Sequence, residues 1–332
     1  MKVLVVRFSS IGDIVLTTPV VSAIHEQIPG VEIHFITKKG FASLLNENPK
    51  ISKLYTIEKS ISEVLPALKN EKYDVVIDLH KNIRTLQLKQ KLGIKSYSFD
   101  KLNFQKWLLV NFKVNKLPNI HIVDRYFEAV TPLGVKNTQQ QCELLFNEQH
   151  VIDTKKAFQL DSKSYLSVAV GAQFATKTMP TTMLVSILEK VEHPIVLLGG
   201  PSDETRGMEI ENELRKKGKN CVNAINQFSL LQSASIVAQS KVILTHDTGL
   251  MHIATAFSVP IVSVWGNTVP ELGMYAYYPT QKELYSIHEV KDLNCRPCSK
   301  IGYQSCPKKH FNCMELQNHA AIIEDINNRL NH

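Results

Sequence analysis

The chain has 332 residues, 44% hydrophobic and 21% charged, with a formal net charge of +7. That length predicts about two domains, and the composition is that of a globular chain with material for a core, which excludes the disordered and collagen-like classes. No run of eighteen apolar residues predicts a membrane span, and Arg7 and Asp13 interrupt the first apolar stretch too early for a secretory signal, so a cytoplasmic location is expected.

In chain order, residues 3–6 predict a buried strand. The polar turn Arg7-Phe8-Ser9-Ser10-Ile11-Gly12-Asp13 follows, and a helix is spaced through Ile14, Pro19, Val20 and Ile24. Residues 31–36 and 75–78 predict two more strands, the latter running into "DLHKNIRT". Residues 81–116 are basic: Lys81, Arg84, Lys89, Lys91, Lys95, Lys101, Lys106, Lys113 and Lys116 face one acid, Asp100, with Trp107, Leu108, Leu109 and Phe112 interleaved. Such a run is either a solvated face or a surface for an anionic membrane or headgroup. Nucleic acid is not expected, because no zinc-finger or RNA-recognition spacing accompanies it. The stretch 136–160 is polar and aperiodic, a linker or peripheral hairpin.

The strand pattern then restarts in "YLSVAVGA", "HPIVLLGGP", "KVILTHDTG" and "VPIVSVWGN", each an apolar run ending in small or polar residues. Strand ends of that kind mark the rim where doubly wound sheets bind ligands. The expected fold class is therefore α/β, with two Rossmann-like doubly wound domains, 1–155 and 156–332, facing a ligand cleft. The last helix has the option of packing back on the first domain. A dinucleotide-dependent dehydrogenase is disfavoured, since no strand is followed by G-x-G-x-x-G.

Three segments carry chemistry. Asp13 lies at the mouth of the first strand-to-helix turn, flanked by Ser9, Ser10 and Gly12; a plain helix cap is one reading of it and a carboxylate placed for chemistry the other. Asp247, Thr248 and Gly249 open a helix carrying His252, and the free N–H groups of a helix start attract anions, although Asp and Thr are also good N-caps. Lys177 lies in "QFATKTMP", shortly after a predicted strand, and no Asp-x-Asp element appears anywhere.

Taken together, "RFSSIGDIVLTTP", "KTMP" and "DTGLMHIATAF" with the following VP, WG, T and P resemble glycosyltransferase family 9, the heptosyltransferases of the lipopolysaccharide inner core, over nearly the whole chain from residue 2 to about 315. The resemblance implies a GT-B fold. It further implies Asp13 as base, Lys177 on the donor phosphates, and Asp247, Thr248, Gly249 and His252 in donor binding. Ser9, Ser10, Gly12, His80, Asn82 and Arg84 are expected toward an anionic glycolipid acceptor. Asn223 stands where some relatives place an acid for the ribose hydroxyls, which leaves the nucleotide open. The implied activity is inverting, metal-independent transfer of a heptose from ADP-heptose, without a cofactor, by a monomer at the inner face of the cytoplasmic membrane. The alternatives are transfer of another sugar to a different surface glycan, and a glycan-binding relative without activity. Cys142 and Cys221 read as buried thiols, whereas Cys295, Cys298, Cys306 and Cys313, with His310 among them, have spacings that fit a structural zinc, a disulfide or free thiols.

Overall fold

The computed structural model describes residues 1–331. The chain divides into two compact units, the first comprising residues 1–101 and 120–147, the second residues 102–119 and 148–332. Residues 102–119 thus leave the first unit's sequence to join the second.

In the first unit, strands β1 (Lys2–Val6), β2 (Glu32–Lys38), β3 (Lys53–Ile57), β4 (Val75–Asp78) and β5 (Ser96–Ser98) form a parallel sheet in the order β3-β2-β1-β4-β5. Its helices are α1 (Ile11–Val15), α2 (Thr18–Gln27), α3 (Leu65–Asn70) and α4 (Ile83–Leu92). The expected first helix is two: Pro19 sits in the first turn of α2, where a missing N–H costs nothing, and the chain breaks at Leu16 and Thr17. Helices α5 (Asn103–Phe112), of the second unit, and α6 (Ile122–Phe127), of the first, follow. Val3, Leu4, Val5 and Val6 of β1 are all shielded from solvent, because a central parallel strand is covered on both faces. The polar stretch after α6 is not a free linker. Lys136 N–H donates to Gln27 Oε1 at 2.9 Å and Glu143 N–H to Thr18 Oγ1 at 2.8 Å, which lays residues 136–143 along α2.

In the second unit, α7 (Thr154–Phe158) precedes β6 (Leu166–Ala169), α8 (Thr181–Leu188), β7 (Ile195–Leu198), α9 (Glu204–Lys216), β8 (Cys221–Asn223), α10 (Leu230–Gln239), β9 (Val242–Thr245), α11 (Gly249–Thr255), β10 (Ile261–Trp265) and β11 (Tyr285–Glu289). The strands are parallel in the order β11-β10-β9-β6-β7-β8, which is the doubly wound order of dinucleotide folds. The short helix α12 (Asn312–Glu315) and the longer α13 (His319–Asn331) follow. Helix α13 inserts Ile322, Ile326 and Leu330 into this unit's own core beside Leu184, Leu188 and Val262.

Both sheets reverse strand order at one place, between β1 and β4 and between β6 and β9. There the loops leave in opposite directions and open a crevice at the strand ends.

Candidate active site

The first switch point gathers the turn after β1 and the loop after β4. Arg7, the residue that follows β1, is buried, with 8% of its surface exposed. It spends its guanidinium on three acceptors: Nε donates to Ser9 O at 2.8 Å, one terminal nitrogen to Leu79 O at 2.5 Å, and the other pairs with Asp13 Oδ1 at 2.6 Å. Burial is the largest influence on the Arg7 charge and opposes it, but Asp13, Tyr126 and Asp78 together outweigh it and the pKa is raised. The second Asp13 oxygen accepts from Ser10 N–H at 3.1 Å and Ser10 Oγ at 2.7 Å. Asp13 is therefore a capping carboxylate of α1 and, at once, an oriented one, clamped from both sides and half-buried. Gly12 does not make the turn: it is an ordinary residue of α1, its carbonyl accepting from Leu16 N–H at 2.9 Å, and the change of direction falls on the extended Ser10.

Across the switch point, Asp78 Oδ1 accepts from His80 N–H at 3.0 Å and Lys81 N–H at 2.6 Å, and Lys89 pairs with the other oxygen at 2.9 Å. This fixes the loop that presents His80. The His80 ring packs edge-on against Phe8 at 5.3 Å, its Nδ1 is buried without a partner, and its pKa falls to about 4, chiefly through burial and further through Arg7 and Lys101. It is thus a neutral imidazole at pH 7. Asn82 serves as N-cap of α4, its Oδ1 accepting from Thr85 N–H at 2.9 Å. Arg84 lies over the Phe8 ring at 5.5 Å. Ser9, His80, Asn82, Arg84 and Lys38 line an open cavity of ≈ 550 Å3, whose two cations suit an anionic group.

The second switch point joins the loop after β6 to the start of α11. Lys177 ends a short 3-10 turn and its Nζ meets Asp247 Oδ2 at 2.6 Å; the same oxygen accepts from Thr268 Oγ1 at 3.1 Å. Thr248 occupies the N-cap position of α11 without a side-chain cap bond, its Oγ1 lying 3.2 Å from Thr245 Oγ1. Capping alone therefore does not account for Asp247 and Thr248. Gly249 opens α11, and His252 is buried one turn further on. Asn223 ends β8 and uses Oδ1 to accept from Ile225 N–H at 3.2 Å. Two glycines on this rim leave no room for a side chain as the neighbours stand, Gly171 against a side chain and Gly266 against backbone. A Cβ on Gly171 would stand 2.0 Å from Asp203 Oδ1, and one on Gly266 would stand 2.6 Å from Thr176 O.

The structure thus collects Ser9, Ser10, Asp13, His80, Asn82 and Arg84 at one rim and Lys177, Asp247, Thr248 and Gly249 at another, with Asn223 at the end of β8, beyond β7 in the same sheet. Sequence reading missed Arg7, Lys38 and Thr268. Arg7 carried a signal, a basic residue at the end of an apolar run six positions before an acid, but helix or strand spacing does not bring those two together; the turn does.

Two doubly wound parallel sheets with polar groups at each switch point are the GT-B architecture, the fold shared with solved structures. Glycosyl transferase family 9 from Veillonella parvula DSM 2008 is similar with a TM-score of 0.81 at 21% identity, over 99% of this chain and 97% of that one. E. coli heptosyltransferase WaaC with ADP is similar with a TM-score of 0.69 at 20% identity, over 99% and 100%. A lipopolysaccharide heptosyltransferase 1 of Campylobacter coli is 25% identical over 291 residues, 81% of this chain and 84% of that protein. The profile of glycosyltransferase family 9 (heptosyltransferase) matches residues 61–305, and the chain belongs to that family. It is an enzyme, a glycosyltransferase.

Proposed function

We propose that the enzyme transfers a heptose from ADP-heptose to a lipopolysaccharide-core acceptor with inversion at the anomeric carbon, without a catalytic metal. The observation that carries this reading is the Asp13 carboxylate held between Arg7 and Ser10 at the first rim. In the proposed step Asp13 takes the proton of the acceptor hydroxyl as its oxygen attacks the anomeric carbon, and the bond to the diphosphate breaks on the opposite face in a single displacement. Charge then grows on the departing ADP. Lys177 and the backbone N–H groups around Thr248 and Gly249 supply the positive potential there, with Asp247 keeping the lysine in place until the donor arrives. The neutral His80, with Asn82, Arg84, Lys38 and Ser9, receives the acceptor and its anionic groups. Support for heptose and for ADP comes from the relatives' names and from WaaC having ADP bound.

The acceptor is a glycolipid, and α5 supplies a surface toward it. Among the described residues no helix is long and apolar enough to cross a membrane. Helix α5 exposes Phe104, Trp107 and Phe112, whose rings touch at 6.1 and 5.1 Å, while Leu109 anchors it on Val269 and Leu272 of the same unit. Exposed aromatics beside Lys106 and Lys116 favour an anionic membrane surface over a merely solvated face.

The test is a transfer assay with ADP-heptose and heptose-free lipopolysaccharide, with the product anomer assigned by NMR and the nucleotide by thermal shift. Inversion and a shift with ADP exceeding those with UDP or GDP are expected. Retention, or preference for another nucleotide, would overturn the corresponding part.

A further inference from the structure

Residues 170–180, between β6 and α8, contain only the short 3-10 turn Ala175–Lys177. No strand ladder fixes such a segment, so where the Lys177 ammonium stands depends on what holds the backbone on either side of it. Just before the lysine, Thr176 donates its N–H to Tyr303 O at 3.1 Å and receives Tyr303 N–H on its Oγ1 at 2.8 Å. Two residues after it, Met179 is 1% exposed, and side chains take both of its backbone groups. Met179 N–H donates to His246 Nε2 at 3.0 Å, and Met179 O accepts from one terminal nitrogen of Arg206 on α9. The other terminal nitrogen of Arg206 donates to Val170 O at 2.8 Å and its Nε to Thr181 Oγ1 at 3.2 Å. One guanidinium thus joins the two ends of the segment.

Neither arrangement is the one that stability alone favours. His246 is fully shielded, and with Nε2 accepting, the neutral ring carries its proton on Nδ1, which is buried without a partner. A core donor left unmatched disfavours folding. Arg206 is half-buried and gives its hydrogen bonds to uncharged oxygens; burial lowers its pKa, although Asp203 and Glu209 oppose this. What the two residues share is location. His246 immediately precedes Asp247, and Met179 follows Lys177 by two positions, so the bond between His246 and Met179 is a rung beside the 2.6 Å pair of Lys177 and Asp247.

We infer that His246 and Arg206 are positioning residues for the transfer: by holding Met179 at its N–H and its C=O, they set the Lys177 ammonium where the donor diphosphate departs. The inference rests on the donor reading of Lys177 given above. Loss of the acceptor at 246 frees Met179 N–H, leaves the turn fastened only at Thr176 and Arg206, and lets Nζ drift from its place. A displacement of about 1 Å is enough to forfeit a large part of what a preorganised charge supplies.

The test is steady-state transfer by His246→Gln, His246→Asn and Arg206→Met, each also made in the Lys177→Met background, at a temperature below every variant's Tm. Gln presents an oxygen near the place of Nε2 and keeps the bond to Met179 N–H, whereas the shorter Asn does not reach it. His246→Gln should hold kcat within about threefold of the parent, and His246→Asn and Arg206→Met should lower it by roughly tenfold or more. Acceptor KM should stay within about twofold throughout, since the displaced group faces the donor. In the Lys177→Met background the same substitutions should change kcat by less than about twofold, because they act through the lysine. Equal losses in both backgrounds would reduce the two residues to a structural role and overturn the inference. Parental kcat in His246→Asn and Arg206→Met, with a low one in Lys177→Met, would overturn the inference alone. Parental kcat in Lys177→Met itself would overturn the donor reading beneath it.

Discussion

Replacing Lys177 by Met removes a positive charge from a place where the structure gives it two functions. The ion pair with Asp247 is 2.6 Å long, with the side chains 15% and 12% exposed. It lies between a surface pair and a buried one, so breaking it from one side should cost roughly 1–3 kcal/mol of stability, with the Asp247 carboxylate left facing only Thr268. If Lys177 also meets the departing diphosphate, turnover should fall about 10²- to 10³-fold, the scale for loss of one preorganised charge-stabilising group. The two effects separate in a double-mutant cycle. Asp247→Asn in the Lys177→Met background should restore most of the Tm, since no unpaired carboxylate remains, and should leave kcat near that of Lys177→Met. Thermal melts and steady-state transfer kinetics on the parent, both single variants and the double variant provide the assay. Recovery of kcat in the double variant to the level of Asp247→Asn alone would refute the reasoning, because Lys177 would then serve only to neutralise Asp247.

Arg7→Met should lower kcat by roughly tenfold or more while KM for the donor stays within about twofold, because Arg7 touches the base and not the nucleotide side; initial-rate kinetics check the split, and a rise in donor KM alone would contradict it. His246 is fully buried and accepts from Met179 N–H at 3.0 Å through an unprotonated Nε2, and burial, aided by Arg206, lowers its pKa from 6.5 to about 3. The unfolded chain therefore takes up this proton first as pH falls, so stability is full above 6.5 and declines from 6.5 toward 3. His246→Gln should flatten that decline by about 1.4 kcal/mol per pH unit, which urea melts at several pH values measure. Phe104→Ser combined with Trp107→Ser and Lys116→Gln should weaken co-sedimentation with anionic vesicles and reduce its salt sensitivity, given about 1 kcal/mol per lysine near such a surface, while transfer to a delipidated acceptor is retained. Lys113 is left out of that variant because its ammonium is tied to Val110 O and Pro297 O.

The parts of the fold legible in the sequence were the strands that the sheets bury on both faces. Strands β1, β4, β6 and β9 are continuous apolar runs because helices cover them, and their polar ends pointed to the two rims. Strands β3, β5, β8 and β11 escaped notice: "KLYTI", "SYS", "CVN" and "YSIHE" are largely half-buried rather than buried, and all four lie at sheet edges, where little apolar pattern is imposed. The helix after β1 read as one because its apolar spacing survives the break at Leu16. At the site, Asp13 and Lys177 were visible as chemistry at strand ends, but their clamps were not. Arg7 reaches Asp13, and Thr268 reaches Asp247, only through turns whose geometry no periodicity encodes. The grouping of residues 102–119 with the second unit was equally hidden, since it is made by contacts far along the chain, Leu109 and Leu117 with Val269 and Leu272 and Lys113 with Pro297 O.

The central claim is that the Asp13 carboxylate removes the acceptor proton, and the most direct measurement is single-turnover transfer by Asp13→Asn, with ADP affinity and Tm recorded on the same preparation. Asn keeps the shape and can still accept from Ser10 N–H, but it cannot take up a proton. The account predicts a rate lower by roughly 10²-fold or more with ADP affinity unchanged. Transfer by the Asn variant at near the parental rate would contradict it and leave Asp13 as the cap of α1.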